Sequence, residues 1–293
     1  MSDSIPHVRT LFRSDLIRVL DYRCSGHDGQ DEIPQGHEIV LPRAGAFQRK
    51  DAHGAFLADP NQVLFYNEGQ PYDISHPIGG RDSATVFIFA PSLLIEIIRI
   101  YDPEVENQPH QVFQHSHFTF ATQLQTLQYR LLHANHLRTD TLEIEEQILT
   151  SVGEIIHALY RGQIAQHKYF SAKTERAHAE QVQVVRTFLN KHVRSRLQLK
   201  QIAAAVHLSP YHLCRVFKQN TGMTLHQYVR RLRLFNAAEE MLEIPQTRLD
   251  LLALEYGFAN HGHFSTAFRQ TFGMNPTSLR QSQTRQLSKI LKV

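Results

Sequence analysis

The stretch 199–222, LKQIAAAVHLSPYHLCRVFKQNTG, has a counterpart in 249–273, LDLLALEYGFANHGHFSTAFRQTFG. Leu199, Ile202, Ala203, His207 and Leu208 return fifty positions later as Leu249, Leu252, Ala253, Gly257 and Phe258. Leu213, Phe217, Lys218 and Gly222 return fifty-one positions later as Phe264, Phe268, Arg269 and Gly273, so the second unit carries one extra residue in its turn. Each unit predicts a short helix with apolar residues at i and i+3 and a small Ala at i+4, then a break suited to positive φ. A second helix follows and ends at a glycine C-cap. Ala203 and Ala253 allow close helix approach, Ser209 and Asn260 are good N-caps, and Pro210 fits the first helical position. His207 stands where glycine is expected, but histidine is among the residues that tolerate left-handed φ. The pattern is a helix-turn-helix, present twice.

Between the units, Leu225 to Leu242 reads as one continuous helix, with Tyr228, Leu232, Phe235 and Met241 apolar, Arg230, Arg231 and Arg233 basic, and Pro245 as its stop. At ~1.5 Å per residue it spans about 27 Å, comparable to the ~34 Å between successive major-groove faces of B-DNA. Charge agrees with that spacing. Residues 1–172 carry 13 Lys and Arg against 21 Asp and Glu, whereas residues 173–293 carry 18 against 7. The net +3 of the whole chain therefore hides a C-terminal part at +11, the electrostatic footprint of a domain that meets a polyanion.

Toward the N-terminus the pattern changes to short β segments, Glu38–Leu41, Val63–Tyr66 and Ala84–Phe89, separated by turn signals at Arg43–Gly45, Asp59–Asn61 and Gly79–Gly80. A small barrel or sandwich is expected there. From Phe118 to Leu132 and from Leu142 to Leu159 the reading is helical, with Ile148, Val152, Ile155 and Leu159 on one stripe that either covers the β region or forms a dimer face. The polar stretch Gln163–Glu180 reads as a linker. Two cysteines, Cys24 and Cys214, offer neither a disulfide framework nor a metal knuckle, and the first residues lack the apolar run of a signal peptide. A cytoplasmic location with no membrane association is expected.

Residues Leu199 to Arg280 resemble the DNA-binding domain of the AraC/XylS family of transcriptional regulators. IAAAVHLSPYHLCRVFKQNTGMTLHQYVRRLRL is similar to its first half and LALEYGFANHGHFSTAFRQTFGMNPTSLR to its second. The most specific string is Gly257, Phe258, Phe264, Phe268, Arg269, Gly273 and Pro276. HEIVLPRAGAF and GQPYDISHPIGGRDSATVF resemble, more loosely, the family's cupin-type sensor domains. The resemblance implies an α+β chain of two domains. The first is a cupin-like β-barrel with two helices over 1–162; a linker over 163–180 joins it to an all-α domain of two helix-turn-helix units, bridged by a long helix, over 181–285. It implies a transcription regulator whose partners are double-stranded promoter DNA, a small-molecule effector, a second copy of the chain in a homodimer, and RNA polymerase.

In a helix-turn-helix the second helix enters the major groove. With Leu213, Val216 and Phe217 facing the core, Tyr211, Cys214 and Arg215 face the groove, and Ser209 and Lys218 lie near the DNA backbone. Arg215 is the expected base reader, since its fork matches guanine O6 and N7, with phosphate binding as the alternative. In the second unit the corresponding residues are His261, Gly262, Ser265 and Thr266, with Arg269 on phosphate; these small side chains predict recognition through backbone contacts and shape. His115-Ser-His117 and His261-Gly-His263 have the spacing of some metal sites, but the first lacks a following Glu and is expected where the chain turns helical, and the second lies in the recognition region. No catalytic residue, cofactor or metal is expected. A different class stays open: a cupin-type enzyme or small-molecule-binding protein with an accessory nucleic-acid-binding module.

Overall fold

The computed structural model describes residues 6–52, 54–119, 123–133, 141–166, 172–244 and 246–280. Ten strands lie among the described residues, all but the last within residues 7–89: β1 (His7–Arg13), β2 (Ile17–Cys24), β3 (Gly29–Glu32), β4 (His37–Ala44), β5 (Phe47–Asp51), β6 (Gly54–Ala58), β7 (Gln62–Tyr66), β8 (Tyr72–Ser75), β9 (Asp82–Phe89) and β10 (His117–Thr119). They form a six-stranded sheet in the order β1-β2-β9-β4-β7-β10 and a four-stranded sheet in the order β3-β8-β5-β6. No strand pairing joins the two sheets among the described residues, so the expected closed barrel is replaced by a two-sheet sandwich. The chain changes sheets between β4 and β5 at Gly45, whose φ of +74° makes the corner. A side chain there would also strike the Arg81 carbonyl oxygen at 2.2 Å.

The period of two along each strand divides the large sheet into two faces. On β2, β4 and β9, Val19, Ile39, Leu41 and Phe87 join the core beneath the helices. Their neighbours Leu20, Val40, Ala84 and Val86 point the other way, into the space between the sheets. β2 and β9 are antiparallel without a slip, from Ile17 opposite Phe89 to Cys24 opposite Asp82.

The helices are α1 (Pro91–Ile98), α2 (Gln123–His133), α3 (Thr141–Gln166), α4 (Ala172–Lys191), α5 (Leu199–Ala205), α6 (Pro210–Thr221), α7 (Leu225–Glu243), α8 (Leu249–Glu255) and α9 (His261–Phe272). Phe118 lies on β10, opposite Val63, and not in the helix expected from Phe118 onward. Strand pairing also overturns the helical placement of His117: it opens β10 and stacks on Phe56 at 3.9 Å between ring centroids. The stretch expected to be a linker is helical at both ends, in α3 to Gln166 and in α4 from Ala172; residues 167–171 lie outside the described residues. Ile148, Val152, Ile155 and Leu159 are all buried in the chain's own core, beside Leu94 and Ile98 of α1, which leaves that stripe no free face for a dimer.

α7 belongs to two cores. Its first half, with Tyr228 and Leu232, packs with α4, α5 and α6. Its second half, with Phe235, Ala238 and Met241, packs with the large sheet, α2, α3, α8 and α9. The first helix-turn-helix unit thus has a core of its own, while the second shares one with the β region.

Candidate nucleic-acid interface

Both units are built alike. α5 ends in a turn where His207 takes φ +55°, and the Leu208 N–H donates to the Ala203 carbonyl at 3.0 Å. α8 ends in a turn where Gly257 takes φ +72°, and the Phe258 N–H donates to the Ala253 carbonyl at 2.9 Å. The left-handed residue and the small alanine therefore recur as one motif, with histidine accepted once in place of glycine. Ser209 caps α6 by accepting from the His212 N–H at 3.2 Å, and Asn260 caps α9 by accepting from the His263 N–H at 2.8 Å. Gly222 and Gly273 close the two helices in the left-handed conformation.

The caps fix the rotation of each helix, and burial then sorts its faces. Leu213, Val216 and Phe217 of α6 are buried, as are Phe264, Ala267 and Phe268 of α9. On the opposite side of α6 the residues predicted for DNA, Ser209, Tyr211, Cys214, Arg215 and Lys218, are all exposed, Tyr211 to 79%. On α9, His261, Gly262, Thr266 and Arg269 are exposed and Ser265 is half-buried, with its hydroxyl 3.3 Å from His261 Nε2. Arg215 reaches His212 Nδ1 at 3.5 Å. His263 is exposed and lies edge-on to Phe258. Each predicted set is brought onto one outward face.

The basic residues of α7 behave differently from a phosphate-binding row. Arg231 donates to Asn61 Oδ1 at 3.1 Å and to Gln125 Oε1 at 2.6 Å, and burial pulls its pKa down to about 10. Arg233 donates to the carbonyls of Val193 and Ser195, beyond the end of α4, and Arg230 to Gln270 of α9. These cations hold helices in place.

A helix-turn-helix domain family model matches residues 202–282. The probable transcription factor PqrA of Proteus vulgaris is 36% identical over 88 residues, covering 30% of this chain and 71% of that protein. The chain belongs to the AraC/XylS family. Other relatives include the bifunctional transcriptional activator/DNA repair enzyme AdaA of Bacillus subtilis, 31% identical over 103 residues, 35% of this chain and 48% of AdaA. The transcriptional activator RhaS of Escherichia fergusonii is 36% identical over 96 residues, 33% of this chain and 34% of RhaS. Apart from PqrA, the chain spans between a third and a half of the length of these relatives.

In this AraC/XylS-family chain periodicity left two further features unrevealed. The first is a cavity of about 490 Å³ between the sheets, walled by Leu20, Val40, Ile74 and Val86 and edged by Tyr22, Tyr66, Tyr72 and Glu38. Burial pushes the Glu38 carboxyl up to about 7, against the opposing pull of Arg18 and Arg49. The second is a buried charge cluster under α7. Arg43 of β4 donates to Glu239 Oε2 at 3.2 Å, to Thr85 Oγ1 at 2.7 Å and to Asp21. Burial alone would raise the Asp21 carboxyl, but Arg43, Arg23 and Arg9 together hold it below the usual carboxylate range. An arginine at an inward position of an apolar strand was the one sequence signal for this cluster; its partner Glu239 lies 196 residues away. Arg186 of α4 makes a second such contact, pairing with Asp59 at 3.0 Å and donating to Tyr228 of α7 at 2.6 Å.

Proposed function

We propose that this chain is a sequence-specific DNA-binding transcription regulator controlled by a small molecule held between its two β sheets. The observation that carries the reading is the pair of equivalent helix-turn-helix units, each capped at both ends of its second helix and each presenting an unburied outer face. Arg215 is assigned to a base edge. Tyr211, Cys214, His261, Gly262, Ser265 and Thr266 are assigned to the groove, and Ser209, Lys218 and Arg269 to the backbone. Residues 1–162 act as a cupin-like sensor and 181–285 as the DNA-binding part, with 163–180 between them. A cavity of this size suits a small organic ligand, since such pockets commonly span ~300–1,000 Å³. No enzymatic step is assigned. No described helix is long and apolar enough to cross a membrane, in keeping with a regulator that meets DNA in the cytoplasm. Action as a homodimer and contact with RNA polymerase complete the reading, with the dimer interface placed away from the buried α3 stripe.

Selection of bound sequences from a random DNA pool tests this, followed by binding measured at several salt concentrations. A selected motif bound ~10³-fold or more above random DNA, with affinity falling steeply as salt rises, supports the proposal. Equal binding to selected and random DNA refutes it.

A further inference from the structure

At one end of the inter-sheet cavity, three side chains of different chemistry converge. Cys24 closes β2, Asp82 opens β9 directly opposite it, and His76 lies just past β8 in the loop leading to β9. Cys24 Sγ, a ring nitrogen of His76 and a carboxylate oxygen of Asp82 all lie within 4.8 Å of one another, and all three residues are buried. One close backbone approach builds this corner. A side chain at Gly26 would meet the Gly80 carbonyl oxygen at 2.3 Å, so the turn after Cys24 can rest on the loop between His76 and Asp82 because residue 26 is glycine.

We propose that Cys24, His76 and Asp82 bind a divalent transition-metal ion of the zinc class, with the fourth coordination position open to the inter-sheet cavity. A thiolate, an imidazole and a carboxylate form a donor set suited to zinc or cobalt and unsuited to calcium or magnesium, which take oxygen. Tetrahedral bonds of ~2.0–2.3 Å place donor atoms about 3.4–3.6 Å apart, so loading requires shifts of about an ångström. His76 Nε2 faces Asp82 Oδ2 at 2.8 Å, while Nδ1 lies 3.2 Å from Asp28 Oδ1. That second carboxylate is the arrangement that orients a metal-binding histidine, because a proton fixed on Nδ1 leaves the Nε2 lone pair for the metal. Because a metal takes imidazole and thiolate ligands in their deprotonated forms, affinity falls as the pH is lowered. Cys24 and Asp82 both line the cavity, which puts a water or a donor atom of a cavity ligand in the fourth position. The site stands independently of the DNA-binding reading.

The test is cobalt titration of the full reduced chain, followed by zinc competition against a chromophoric chelator. One equivalent of cobalt should produce a thiolate-to-cobalt charge-transfer band that zinc abolishes. Cys24→Ser should lose the band, and Cys214→Ser should keep it. Asp28→Asn changes a side chain that is 65% exposed, so the fold should survive; it should keep the band and bind zinc about 10–100-fold more weakly. Asp28 is a positioning residue, and that weakening with the band retained separates its role from a merely structural one. The proposal is overturned by absence of the band in the unaltered chain, by its persistence in Cys24→Ser, or by unchanged zinc affinity in Asp28→Asn.

Discussion

Arg43→Ala is the most informative single change in the region between the β sandwich and α7. Arg43 is fully buried and paired with two carboxylates, Asp21 and Glu239, which its loss would leave in the interior without their main counter-charge. Removing one partner of a buried ion pair costs about 3–5 kcal/mol. Arg23 stays in place at 3.1 Å from Glu239 and 3.5 Å from Asp21, which argues for the lower end, about 3 kcal/mol. At ~2–4 °C per kcal/mol for a protein of this size, Tm should fall by roughly 6–12 °C. The chain has no tryptophan, so urea unfolding is best followed by circular dichroism. The triple change Asp21→Leu, Arg43→Met, Glu239→Leu should recover most of the loss, because packed apolar groups are often as stable as a buried ion cluster. The cluster also predicts a pH dependence. Asp21 has a folded-state pKa below its unfolded value, so its contribution is complete above the ordinary carboxylate range and is lost as the pH falls through the folded-state value. A loss under ~1 kcal/mol for Arg43→Ala, or a triple variant less stable than the single one, would refute the reasoning.

Three further outcomes are expected. Arg215→Ala should cost roughly 1–3 kcal/mol on the selected site and relax preference at one base pair, whereas Lys218→Ala or Arg269→Ala should weaken all sequences alike and lower the salt slope by about one; equal loss on cognate and random DNA by Arg215→Ala removes it as a base reader. Val152→Glu places a carboxylate where the native side chain is 0% exposed, so circular dichroism should show loss of folded structure, and a folded variant that merely dissociates would return the stripe to a dimer interface. Glu38 has a folded-state pKa of about 7, above its ordinary 4.5, so the native state binds the proton more tightly and stability declines as the pH rises between those values; Glu38→Gln should flatten the pH profile in that window, and an unchanged profile would show that Glu38 is not its source.

The two helix-turn-helix units were legible in the sequence because their determinants are local. N-caps, C-cap glycines, a small alanine and a left-handed turn each act within a few residues, and the fifty-residue recurrence displayed them twice. Even His207, the departure from glycine, was readable, since its positive φ depends on the residue itself and its immediate turn. The faces of α6 and α9 followed from the same local pattern. Alternation in the strands marked three segments of the large sheet, but the break between sheets at Gly45 depends on how closely its backbone meets Arg81 and Asp82. Tertiary structure alone decided the fate of the Val152 stripe, because an amphipathic helix buries the same face against its own chain or against another. It alone also separated Arg231 and Arg233 from the DNA-facing cations, since helix periodicity carries no information about what lies across the interface. The pairing of Arg43 with Glu239 and the meeting of Cys24 with His76 and Asp82 join positions far apart in the chain. Strand register and the packing of α7 bring them together, and neither is encoded in any short window of sequence.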